Sequence, residues 1–99
     1  MRVTKEQSEI IKGLTHDLLG DDAHVLLFGS RVDDTKRGGD IDLLVEVSRR
    51  LDSAVLTGAR LAARIERALG GRKVDVLLVD AATSLQPVHR HARAHGVAL

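Results

Sequence analysis

The sequence predicts an α/β (α+β) fold in the order αβαβαβα, a small mixed sheet with helices packed on it, and three observations carry that prediction. First, three short aliphatic runs, "HVLLF" at 24–28, "DIDLLVEV" at 40–47 and "KVDVLLVD" at 73–80, are strand-sized and bounded by glycine or turn residues. Second, the stretches around and between them carry apolar residues at helical spacing with capping and stop signals. Third, 99 residues suffice for one such unit, so residues 1–99 read as a single domain. A domain of that length buries roughly 60 to 65% of its unfolded surface.

The first helix, Thr4 to Leu19, opens with Thr4 and Gln7 as a capping box. It repeats Ile10, Ile11, Leu14 and Leu18 on one side and stops at Gly20. The first strand, His24 to Phe28, ends at Gly29, and residues Ser30 to Lys36 suit a short helix before Gly38-Gly39 break it. In the second strand, Asp40 to Val47, alternation puts Ile41, Leu43, Val45 and Val47 on the core face and Asp40, Asp42, Leu44 and Glu46 on the other. A long helix follows in "LDSAVLTGARLAARIERALGG", with an Asp/Ser start, a Gly-Gly end and Val55, Gly58, Ala62, Ile65 and Leu69 in phase. After the third strand, Thr83 or Ser84 is the expected cap of a last helix that tolerates Pro87 in its first turn and runs to His95 before Gly96.

Composition narrows the function. Hydrophobic residues are 43% of the chain but aromatics only 1%, Phe28 alone, so the core is aliphatic. A net charge of +1 and a single aromatic supply neither a basic footprint nor a stacking platform for polynucleotides, so no direct nucleic-acid contact is expected. The absence of cysteine removes disulfides and thiolate metal sites, and no apolar run reaches membrane-spanning length. The expected location is cytoplasmic.

Asp40 and Asp42 share one strand face about 7 Å apart at Cα, where like charges repel unless a cation lies between them. Alone, an Asp-x-Asp pair is also a common solvated strand start. Its neighbours give it weight: Gly29-Ser30 follows a buried strand at a helix start, where free N–H groups favour an anion. Hard cations such as Mg²⁺ are held by one or two carboxylates plus substrate phosphates, so the combination suits a metal-bound nucleotide. If the third strand lies parallel beside the second, strand starts align and Asp75 comes near Asp42. Asp80 then falls at the strand's far end, as a strand-end or capping residue.

With these parts in place, "GSRVDDTKRGGDIDLLVEV" followed by "KVDVLLVD" resembles the minimal nucleotidyltransferase (MNT) branch of the polymerase-β-like nucleotidyltransferase superfamily. The resemblance implies the minimal nucleotidyltransferase fold, with strands two and three parallel. It also implies that Gly29 and Ser30, with Arg31 beside them, bind the nucleotide's phosphates. Asp40 and Asp42 would hold two Mg²⁺ ions, and Asp75 the one facing the attacking hydroxyl. The implied reaction is transfer of AMP from ATP to a hydroxyl, with pyrophosphate leaving. MNT proteins act as antitoxins beside a helical HEPN-type RNase toxin, which they can adenylylate, and a domain this small has to take its acceptor from another chain. The alternatives are an MNT-fold antitoxin or regulatory subunit that neutralises by binding alone, and a subunit that modifies a small molecule such as an antibiotic.

Other signals are weaker. Arg31, Lys36 and Arg37 can assist a triphosphate or be solvated loop charges. His91 and His95, four apart, lack a third ligand for zinc. Arg60, Arg64 and Arg67 line one helix face, either solvated or as a docking surface for an acidic partner.

Overall fold

The computed structural model describes residues 3–29 and 40–99. Its elements are α1 (Lys5–Leu19), β1 (His24–Phe28), β2 (Ile41–Glu46), α2 (Ala54–Ala68), β3 (Val74–Val79), α3 (Pro87–His95) and β4 (Val97–Ala98). Four strands form one mixed sheet in the order β3-β2-β1-β4. The short helix expected at 30–36 lies outside the described residues.

α1 forms as its cap dictates. Thr4 Oγ1 accepts from the Gln7 N–H at 3.1 Å while Gln7 Oε1 accepts from the Thr4 N–H at 3.0 Å, which satisfies two otherwise orphaned donors. The buried side of α1 is Ile11, Thr15 and Leu19, and the Thr15 hydroxyl donates to the Ile11 carbonyl at 2.7 Å, so its burial leaves no polar group unpaired.

β1 and β2 pair antiparallel, whereas β2 and β3 pair parallel. A parallel neighbour requires a crossover, and α2 supplies it. Ser53 caps α2 by accepting from the Leu56 N–H at 3.2 Å, and Leu61 and Ile65 of that helix are fully buried. They pack with Ile11 and Leu19 of α1 against Ile41, Leu43 and Val45, the sheet face that alternation assigned to the core. Truncating one such buried leucine to alanine typically costs about 2–5 kcal/mol, a large share of what a domain this size has.

The opposite face is covered at its far end by α3. Ala92 packs on Leu44 and Val79, and Arg93 grips Glu46 with both donors of its fork, at 2.6 and 3.2 Å. Gly96 then turns the chain back against Leu26, where any Cβ would strike the Ala92 carbonyl. The close approach lets Val97 and Ala98 pair with Leu27 and Leu26 as β4, an edge strand that the sequence did not announce. Among the described residues no helix is long and apolar enough to cross a membrane.

Two expectations need correction. Val55, read as part of the apolar stripe of α2, is 83% exposed, because the buried side of that helix runs through Gly58, Leu61 and Ile65. The cap of α3 is Gln86, with Pro87 as the first helical residue, rather than Thr83 or Ser84. Thr83 is engaged elsewhere: its hydroxyl donates to Asp80 Oδ1 at 2.9 Å and accepts from the Asp80 N–H at 3.0 Å. Asp80, buried at the end of β3, also accepts from the N–H groups of Leu51 at 2.8 Å and Ala82 at 3.0 Å, and so ties the approach to α2 to the approach to α3. These donors, led by Leu51, hold its carboxyl below the usual carboxylate range.

A folded-state pKa below the unfolded value contributes stability that is present above the unfolded pKa of about 3.9 and is lost as pH falls through the folded one. Asp80→Ala is therefore expected to melt below the parent at pH 7, with the gap narrowing as pH drops below that value, measured by circular dichroism.

Candidate active site

Parallel pairing of β2 with β3 aligns strand starts with strand starts, and the register sets Asp42 beside Asp75. The Ile41 N–H donates to the Lys73 carbonyl at 3.0 Å and zips the mouth of the pair, with Asp40 one residue ahead of Ile41. On the other side of β2, Phe28 is the antiparallel partner of Asp42, so Gly29 emerges from β1 directly against the Asp42 carboxylate. Gly29 has φ of 75°, a left-handed backbone, and a Cβ there would fall on the Asp42 carboxylate oxygen. Only glycine meets both demands without strain.

Asp75 is exposed, while Asp42 and Asp40 are half-buried. The Asp42 carboxyl is pushed above its usual range, first by burial and then by the nearby charges of Asp75 and Asp40. Lys73 Nζ stands 4.0 Å from Asp40 Oδ2 as a partial counter-charge. Sequence reading passed over Lys73, although the same alignment of strand starts that selected Asp75 carries the preceding lysine to the Asp40 side of the mouth.

Asp40, Asp42, Asp75 and Gly29 thus gather at one end of the sheet, while Ser30, Arg31, Lys36 and Arg37 lie outside the described residues. The gathering is not a closed cage: among the described residues no three acidic or histidine side chains converge enough to hold a metal ion. Like charges in neighbouring registers have reason to splay. The donor set nevertheless fits a hard divalent cation, being all oxygen, and the raised pKa of Asp42 marks the negative charge that a cation would offset. His91 and His95 do share a helix face, their ring centroids 4.5 Å apart, on the exposed side of α3.

The sequence profile of the nucleotidyltransferase domain matches residues 7–94, nearly the whole chain. The chain belongs to the nucleotidyltransferase domain family. Solved structures agree on the fold. A chain of a toxin–antitoxin crystal structure with AMP-PNP superposes with a TM-score of 0.69 at 26% identity, over 92% of this nucleotidyltransferase and 70% of that chain. A variant of the toxin–antitoxin pair MntA-HpeT gives 0.65 at 26% identity, over 97% and 71%. A chain of the complex of a tri-AMPylated Shewanella oneidensis HEPN toxin with an MNT antitoxin shares the fold at 24% identity and a TM-score of 0.66, over 95% and 69%. No curated protein matches this nucleotidyltransferase.

Two outcomes follow for the metal-free protein. Because the folded pKa of Asp42 is raised, the stability contributed by that carboxyl is full below about pH 3.9 and is lost as pH rises through the folded value. Asp42→Asn, in the absence of divalent metal, should therefore melt no lower than the parent at pH 7, and any advantage should vanish in acid. Gly29→Ala should lose at least about 1–3 kcal/mol in urea unfolding, the cost of the left-handed backbone alone, with the clash of its Cβ against the Asp42 carboxylate adding to it.

Proposed function

We propose that this nucleotidyltransferase transfers AMP from ATP to a hydroxyl of a HEPN-type toxin and acts as that toxin's antitoxin. One observation carries the reading: the register that sets Asp42 beside Asp75, with Asp40 and the glycine of the Gly29-Ser30 pair against them. The 26%-identical chains from toxin–antitoxin crystal structures, one of them with AMP-PNP, support the partner and the nucleotide. The AMPylated HEPN toxin in the complex of like fold suggests the acceptor class.

In this reading Gly29 and Ser30 hold the terminal phosphates and Arg31 offsets their charge. Asp40 and Asp42 would hold two Mg²⁺ ions and Asp75 would join them on the acceptor side. When bound, the metal supplies charge neutralisation at the phosphates and makes the acceptor hydroxyl easier to deprotonate. The acceptor oxygen forms its bond to the α-phosphorus as the bond to the bridging oxygen breaks. The hydroxyl proton leaves to solvent and pyrophosphate departs. The protein's task is positioning and charge compensation, since the phosphoryl chemistry requires no covalent intermediate.

A second reading, neutralisation by binding alone, draws on the carboxylates standing as neighbours rather than as a closed cage. One experiment separates the two. With α-labelled ATP, Mg²⁺ and a HEPN-type toxin as acceptor, the parent should label the partner, and Asp42→Asn should lower labelling by about 10²-fold or more, as removal of one charge-stabilising group does. Mg²⁺ with ATP at 100 times its dissociation constant should stabilise the parent by about 2.7 kcal/mol, and Asp42→Asn should lose most of that shift. An unlabelled partner under any divalent metal, with neutralisation intact in Asp42→Asn, would favour binding alone.

A further inference from the structure

We propose that the outer edge of β3 is the docking strip for the acceptor polypeptide, which adds to the sheet as an extended strand and brings its hydroxyl to the Asp75 end. The inference rests on the reading above that the acceptor is a protein chain. The edge itself is read from its hydrogen bonds. The carbonyls of Lys73 and Val79 accept from β2, at 3.0 Å from the Ile41 N–H and 2.9 Å from the Val47 N–H. Odd-numbered residues of β3 thus face β2 and even-numbered ones face outward.

The two ends of that outer edge are blunted by the chain itself. The Val74 N–H donates to Glu66 Oε2 at 3.4 Å, and the Asp80 N–H to Thr83 Oγ1 at 3.0 Å. Between them, the outward N–H and C=O groups of Val76 and Leu78 have no partner among the described residues. Among the described residues the sheet edge is open over this window and closed at its ends, a template for one short added strand.

The walls match such an occupant. A groove of about 410 Å³ runs along the edge between Ala54 and Val55 of α2 and His89 of α3, with Val76 and Leu77 on its floor. Val55, on the α2 wall of that groove, is 83% exposed, so apolar surface flanks the open backbone on that side.

Alternation then specifies the visitor. Asp75 and Leu77 lie on the carboxylate face of β3, and Val76 and Leu78 on the α2 face. A segment paired to Val76 and Leu78 places every second side chain on the Asp75 face and the others against Val55. The acceptor segment should carry its hydroxyl residue in the first set and apolar residues in the second. A second copy of this chain fits less well: antiparallel registers of two β3 edges that use Val76 set Asp75 against Leu77 or Val79 of the other copy, desolvating a carboxylate against an apolar side chain.

The test uses residues 1–99 with a HEPN-type toxin as the acceptor protein. Amide exchange is followed at Val76 and Leu78 with and without that protein, and AMP labelling is measured for the parent, Val55→Glu and Val55→Ile. Docking at the edge predicts slowed exchange at both amides in the complex and a KM for the protein acceptor raised about tenfold or more in Val55→Glu, as for loss of an interface anchor. Val55→Ile should keep the parent's KM, and the melting shift with Mg²⁺ and ATP should be the same in all three. Unchanged exchange in the complex, or labelling by Val55→Glu at the parent's KM, overturns the docking strip while leaving the transferase reading intact. Slowed exchange without labelling of the partner keeps the strip and sinks the transferase reading. Protection of the two amides in the free protein that grows with its concentration would identify a second copy as the occupant and overturn the proposal.

Discussion

The parallel pairing of β2 with β3 is the constraint on which the rest depends. Were β3 antiparallel, Asp75 would lie at the far end of the sheet from Asp42, and Asp80 would take its place. Parallel order obliges the chain to cross over, and α2, whose Leu61 and Ile65 are fully buried, makes that crossing while sealing the core. The register is fixed by side chains as much as by hydrogen bonds. A slip of one residue would turn Val74 and Leu78 out of the core and Asp75 into it, a penalty no local contact could offset.

Much of this was legible in the sequence because the relevant signals are local or periodic. The alternation of "DIDLLVEV" assigned the carboxylate face, and the structure buries Ile41, Leu43 and Val45 on the other. The Thr4–Gln7 capping box forms as read. What escaped was set by non-local contact. β4 has only two paired residues and exists because Gly96 can press against Leu26. The cap of α3 shifts to Gln86 because Asp80 claims Thr83. Within the site, the alignment of strand starts that gives Asp42 and Asp75 also gives Lys73 near Asp40, yet a lysine before a strand carries no signal of its own. The contact between Gly29 and Asp42 likewise required knowing that β1 lies beside β2.

Asp42 and Asp80 show how environment divides one residue type between two tasks. Asp80 is surrounded by donors, which hold its pKa down and make its charge part of the scaffold. Asp42 is half-buried beside two like charges, which raise its pKa and make its ionised form a cost to the metal-free fold. Charge held at a cost at the start of a strand pair is what binding a cation and a polyanion together can exploit. Asp42 and Asp75 are carried by paired strands, so their spacing is inherited from the sheet.

The most direct test of this account is the titration of the Asp42 carboxyl by carbon-detected NMR, with and without Mg²⁺. The account predicts that Asp42 titrates above the ordinary carboxylate range in the metal-free protein, and that Mg²⁺ with a non-hydrolysable ATP analogue moves it below that range. An Asp42 that titrates as an ordinary aspartate, unmoved by Mg²⁺ and nucleotide, would contradict it.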